Sequence, residues 1–191
     1  GARLNTTGIQ VDASARQGQG GLWLIDPYDY NIDGTAAGQI VTALNAGTSV
    51  EINTANATSA AGVATMAGSS GNGDITVSAS VVSTGSGNLS MVAAGNVAVN
   101  APLSTGGNIT ITTAGLTGSG DITLATGKSL SVTQSGDSVY NGVIAGTNAS
   151  FTKGGAGALT LAGDSTYTGP TTINAGTLQV GNGGASGSLA T

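Results

Sequence analysis

Five segments of the chain share one pattern: Gly73-Asp74-Ile75-Thr76-Val77-Ser78, Gly87-Asn88-Leu89-Ser90-Met91-Val92, Gly95-Asn96-Val97-Ala98-Val99-Asn100, Gly107-Asn108-Ile109-Thr110-Ile111-Thr112 and Gly120-Asp121-Ile122-Thr123-Leu124-Ala125. Each runs Gly-Asx-apolar-small-apolar-small. The Gly-Asx pair supplies positive φ or a side chain that bonds nearby backbone, so it turns the chain. The four residues after it alternate with period two, as a half-buried strand does. Further apolar positions (Val81/Val82, Leu103, Leu116, Leu130/Val132) fall between the five segments and read as additional short strands. Grouping three strands gives a coil of roughly 20–25 residues, inside the range of solenoid repeats, and at most about eight coils. The fold expected is all-β: a right-handed parallel β-helix (β-solenoid) with three short strands per coil. Its inward Ile, Leu and Val would form columns at about 4.8 Å spacing, with Thr and Ser outward. Asn88, Asn96 and Asn108 read as turn residues stacked in a ladder on successive coils.

Composition supports this and narrows the function. Of 191 residues 34 are Gly, only 7% are charged, and the aromatics are one Trp, four Tyr and one Phe. A β-sandwich, the structural rival, usually buries more aromatics. Helix is expected nowhere except as a short turn over Gly38 to Leu44. With no His and no Cys, the commonest metal ligands, the usual general base, nucleophilic thiols and disulfides are all missing. Four basic residues (Arg3, Arg16, Lys128, Lys153) against nine acids cannot neutralise a run of phosphates, so nucleic acid is not a partner. The start, Gly1-Ala2-Arg3-Leu4, has neither an initiator Met nor an apolar leader core, and the chain reads as an excised, monomeric piece.

One continuous solenoid over 1-191 is expected, in three regions. Residues 1-34 hold the only Trp, two of the four Tyr and the acid cluster Asp26, Asp29 and Asp33, 35-139 the irregular β repeats, and 140-180 a longer unit ending in Thr171-Thr172-Ile173-Asn174-Ala175-Gly176-Thr177-Leu178-Gln179-Val180. Two stretches resemble known families. Gly21-Leu22-Trp23-Leu24-Ile25-Asp26-Pro27-Tyr28-Asp29-Tyr30-Asn31-Ile32, followed by Leu44-Asn45-Ala46-Gly47-Thr48-Ser49-Val50, resembles the secreted exoproteins of the filamentous haemagglutinin family. Tyr140 to Val180, with Leu159-Thr160-Leu161-Ala162-Gly163 and Thr166-Tyr167-Thr168-Gly169-Pro170-Thr171, resembles the passenger-associated transport repeat, also called the autotransporter-associated β-strand repeat. Pro170 stands where that repeat often has Gly or Ala; it suits a turn before a strand but lacks the N–H for a ladder bond. The resemblances imply a non-enzymatic passenger segment of a type V-secreted adhesin on the surface of a Gram-negative bacterium. It would form a rigid stalk that helps its own export, with an outer-membrane translocator of the parent protein as partner and a surface receptor not identified by sequence.

Candidate ligand-binding residues cluster near the start: Trp23, Asp26, Tyr28, Asp29 and Asp33. Three carboxylates within eight residues would suit Ca²⁺, or the acid/base pair of a polysaccharide-cleaving enzyme, whose nearest base here is Arg16. The aromatics would stack on sugar rings. The competing reading is structural: Asx side chains bonding the backbone two residues on, and aromatics packed into the core. A carbohydrate-active β-helix enzyme and a Ca²⁺-stabilised glycan-binding module are the alternative functions; for the stalk no metal and no cofactor is expected.

Overall fold

In the computed structural model, residues 21–25, 27–55 and 71–190 are described. The strands in chain order are β1 (Leu22–Ile25), β2 (Tyr30–Ile32), β3 (Ser49–Asn53), β4 (Ile75–Val77), β5 (Val81–Val82), β6 (Leu89–Val92), β7 (Val97–Val99), β8 (Leu103–Thr105) and β9 (Ile109–Thr113). They continue as β10 (Leu116–Thr117), β11 (Ile122–Leu124), β12 (Ser129–Gln134), β13 (Ser138–Tyr140), β14 (Ile144–Ala145), β15 (Ser150–Gly154), β16 (Ala158–Leu161), β17 (Thr171–Ile173) and β18 (Thr177–Val180). One helix, α1 (Gly34–Asn45), lies between β2 and β3. All five Gly-Asx segments open a strand, as their alternation requires.

Neighbours in sequence never pair. The sheet orders are β1-β3-β6-β9-β12-β15-β17, β10-β7-β4-β2, β14-β11-β8-β5 and β13-β16-β18, and every pairing is parallel. From β4 onward the partner lies 19 to 22 residues ahead, as in Leu116 with Val97, Leu89 with Ile109, Leu130 with Phe151 and Ile122 with Ile144. A chain that pairs only with its own next pass is a parallel β-solenoid, and this excludes the antiparallel sandwich. The first passes are wider: Leu22 pairs with Ser49 across the helix, and Val50 with Leu89.

In-register parallel pairing places each inward residue over its counterpart. One column runs Trp23-Val50-Leu89-Ile109-Leu130-Phe151-Thr171, and beside it stands Ile25-Ile52-Met91-Ile111-Val132-Lys153-Ile173. Opposite, Tyr30-Ile75-Val97-Leu116 and Val81-Leu103-Ile122-Ile144 close the interior. From Val50 to Phe151 and from Ile52 to Lys153 the members of the first two columns are at most 1% exposed. Ser90, Thr110, Ser131, Thr152 and Thr172 occupy the outward position between these columns on five successive strands.

The helix is longer than the Gly38–Leu44 turn expected from sequence. The Asp33 carboxylate caps it by accepting from the N–H groups of Thr35 and Ala36, each at 3.0 Å. At the other end Gly47, at φ +81°, donates to the Leu44 carbonyl and Thr48 to the Ala43 carbonyl, a Schellman closure. Ala36, Ala37, Ile40, Ala43 and Leu44 form its buried face, which packs on β2, β3 and β5. Since β5 is the edge strand of its sheet, the helix covers an edge that would otherwise offer bare backbone groups. The two caps extend a segment whose Gly34, Thr35 and Gly38 read as poor helix formers.

Two substitutions test the column. Ile111→Ala, between Met91 and Val132, is expected to cost about 2–5 kcal/mol through its lost apolar contact and residual cavity. Thr110→Ala, on the exposed side of the same strand, should stay within about 0.5 kcal/mol. The denaturant midpoint of each variant checks the contrast.

Candidate functional site

Asp29 and Asp33 engage separate backbone segments. Asp29 Oδ1 accepts from the N–H groups of Gly73 at 2.8 Å and Asp74 at 2.9 Å, so it ties the first pass of the solenoid to the turn that opens β4. Asp33 is the cap of α1. Tyr28 is 37% exposed, while Trp23 is partly buried, packs against the core and stacks on Val50. Asp26 lies outside the described residues, as does Arg16. Among the described residues no group of three or more acids is placed to hold a metal ion.

The Asp29 arrangement recurs at the corners of later coils. Asp74 Oδ1 accepts from the N–H of Asn96 at 2.7 Å, Asn88 Oδ1 from Asn108 at 2.8 Å and Asn108 Oδ1 from Ser129 at 3.1 Å. Asp121 Oδ1 accepts from Val143 at 3.0 Å, Asp137 Oδ1 from Ala158 at 2.7 Å and Asp164 Oδ1 from Gly187 at 2.8 Å. Each side-chain oxygen is held out by one coil and taken by an N–H of the next. A corner N–H left over from the strand ladder is thereby satisfied, with extra strength where the acceptor is a carboxylate. Of the three asparagines expected to form one ladder, Asn88 and Asn108 do share a corner, with Ser129 above them; Asn96 belongs to another, above Asp74.

Inside the tube, polar side chains bond to carbonyls at the bends. Thr105 Oγ1 donates to Gly87 O at 2.6 Å and Thr113 Oγ1 to Gly95 O at 2.9 Å. Gln134 Nε2 donates to Gly136 O at 2.9 Å and to Ala158 O at 3.0 Å. The Tyr140 hydroxyl, 0% exposed, donates to Gly120 O. Sequence reasoning missed the most unusual member. Lys153 is 0% exposed, and its ammonium donates to Gly154 O at 2.6 Å, Gly155 O at 3.0 Å and Ala175 O at 3.5 Å. Gly155 has φ +76°, and a Cβ there would lie 2.1 Å from Gln134 O, so only glycine brings this carbonyl into place. The signal was present: in Phe151-Thr152-Lys153 the period of two puts Lys153 on the same side as Phe151.

An open groove of about 280 Å³ runs along this bend outside the tube, with Ala94, Ala114 and Ala156 beside Thr112 and Thr133. Its lining contains no titratable side chain, so it offers packing and hydroxyl contacts but no proton transfer.

Burial sets the ionisation of the two buried groups in opposite ways. Desolvation lowers the Lys153 pKa from 10.5 and, helped by the Asp121 charge, raises that of Tyr140 above 10.0. As pH rises from the lowered Lys153 value toward 10.5, the folded chain releases its proton before the unfolded chain does. This relieves the cost of the buried charge, so stability should rise across that window and Lys153→Met should abolish the rise. Above pH 10.0 the unfolded Tyr140 ionises first, so its contribution to stability is lost as pH rises and Tyr140→Phe should flatten that fall. Denaturant midpoints measured from pH 7 upward read both slopes. For the caps, Asp33→Ala should cost about 1 kcal/mol and Asp33→Asn much less, because Asn keeps the accepting oxygen; the thermal midpoints of the two variants give the comparison.

Comparison with known proteins places the C-terminal strands first. Residues 151–180 match the passenger-associated-transport-repeat family model, a span from Phe151 in β15 to Val180 at the end of β18. The chain is also 36% identical over 97 residues, 51% of its length, to the adhesin BmaC autotransporter of Brucella suis biovar 1 (strain 1330). It covers 3% of the length of that protein. No solved structure matches it. By both similarities this is sequence of the kind found in autotransporter passengers, which are exported to the bacterial cell surface.

Proposed function

We propose that the chain is a non-enzymatic segment of the exported passenger of a surface adhesin, built as a right-handed β-helix of three strands per coil in one continuous rod. It acts as a stalk, and its transport repeat assists folding once the chain has crossed the outer membrane through a translocator of the parent protein. The observation that carries this reading is the pairing pattern: from β4 onward each strand takes as its next partner a strand 19 to 22 residues ahead. A chain with such short-range contacts can add coils one at a time as it emerges from a pore, and each coil that folds outside opposes backward movement. Lack of Cys suits the same route, since no disulfide has to form or break in transit.

Ligand binding by Trp23, Asp26, Tyr28, Asp29 and Asp33 is the weaker proposal. Asp29 and Asp33 are already engaged as backbone acceptors, which is the structural use of such residues at turns and helix ends.

Deleting 151–180 from the full-length parent exoprotein should lower the amount displayed at the cell surface while leaving its synthesis unchanged. Surface labelling of intact cells measures this, and undiminished display would remove the export role of the repeat.

A further inference from the structure

An asparagine followed by glycine can lose its side-chain amide without an enzyme. The glycine nitrogen gives up its proton to solvent base and attacks the Asn Cγ; ammonia leaves and a cyclic imide forms. Water then opens the imide at either carbonyl, giving aspartate or its β-linked isomer. Glycine permits the closure because no Cβ crowds the attacking nitrogen and its backbone turns freely. The chain has three such pairs, Asn72-Gly73, Asn141-Gly142 and Asn182-Gly183. All three asparagines are exposed, so exposure of the amide does not tell them apart.

The glycines do. Gly73 is buried; its N–H donates to Asp29 Oδ1 at 2.8 Å, and its carbonyl accepts from Thr54 Oγ1 at 2.6 Å and from the Gly95 N–H at 2.9 Å. Gly142 is buried between two coils: a Cβ on it would lie 2.2 Å from Gly120 O, and a Cβ on Gly163 would lie 2.5 Å from Gly142 O. The Asn141 N–H is also fixed, on Gly118 O at 2.9 Å. Imide formation needs the backbone around the Asn-Gly peptide to rotate, and at both places rotation has to open contacts between coils.

Asn182-Gly183 lies in the loop after β18. The loop is tied at one end by the Gly181 N–H on Leu161 O and at the other by the Gly187 N–H on Asp164 Oδ1, both at 2.8 Å. Residues 182–186 between these ties are exposed. Gly183, at φ +85°, has nothing within 4 Å of where a Cβ would stand, and among the described residues nothing accepts from its N–H. Asn182 Oδ1 accepts from the Gly184 N–H at 3.3 Å, a turn that folds the side-chain amide back over the peptide that follows it. Nucleophile and carbonyl carbon are thus held as neighbours, with room to close the ring.

We propose that Asn182 is a site of spontaneous deamidation in the folded protein, and that stacking of the coils protects Asn72 and Asn141. Water is the only co-reactant. The aspartate product keeps the oxygen that the Gly184 N–H uses and adds one negative charge to the loop; the isomer adds a methylene to the main chain between the two ties. The inference rests on the loop and does not depend on the export reading.

The test incubates the full chain at mildly alkaline pH, folded in one sample and unfolded in guanidinium chloride in another, and follows each asparagine by peptide mass spectrometry. Dividing each folded rate by the rate in the unfolded chain removes the effect of neighbouring sequence. The ratio for Asn182 should be about one, and those for Asn72 and Asn141 at least about tenfold lower. Asn182→Gln should remove the acidic species that isoelectric focusing resolves from the folded sample. A ratio for Asn72 or Asn141 within about tenfold of that for Asn182 overturns the proposal. So does a folded chain that keeps the Asn182 amide while the unfolded chain loses it.

Discussion

Parallel pairing of a strand with the pass of chain about 20 residues ahead places every side chain directly over its counterpart, and the rest of the molecule follows from that constraint. A column can hold only residues that tolerate copies of their own kind at about 4.8 Å. Ile, Leu, Val and Met do so by interdigitating, and Thr and Ser do so on the outer face by presenting a hydroxyl to water. A charge stacked on a like charge does not, which accounts for a chain with 7% charged residues.

The corners meet the same constraint with different chemistry. Backbone groups leave the ladder wherever the chain bends, and within a tube many of them are shielded from solvent. Asp and Asn side chains satisfy the N–H groups from outside, coil to coil, while Thr, Gln, Tyr and Lys satisfy carbonyls from within. Glycine is required where two bends approach each other: at Gly118, with φ +107°, a Cβ would lie 2.0 Å from the Val99 carbonyl oxygen. The Gly and Asx that mark the repeat in sequence are therefore the residues that allow neighbouring coils to close on each other.

In the reading proposed here, function belongs to the stack of coils as a whole. Of the carboxylates that look like a site in sequence, Asp29 and Asp33 hold backbone, and the similarity to an exported adhesin covers half of the chain without pointing to a pocket in it. The one buried charge among the described residues, Lys153, sits inside the span that matches the transport repeat and faces the coil that completes it.

Much of this was legible in the residues alone. Period-two alternation after each Gly-Asx pair marked where strands begin and which side faces inward, because side-chain direction in a strand is a local property. The Thr166-to-Val180 motif likewise announced the transport repeat. Three things were decided by the tertiary structure. The helix reaches from Gly34 to Asn45 because caps at both ends and a buried face against β5 outweigh poor local propensity. Asp29 became a clamp on Gly73 and Asp74, more than 40 residues away, a distance that no local pattern encodes. Lys153 became a buried charge because its partner carbonyl at Ala175 arrives only when the next coil stacks. Alternation says which way a side chain points; which strand lies beside it is a property of the closed coil, and with it come the hydrogen-bond partner and the burial.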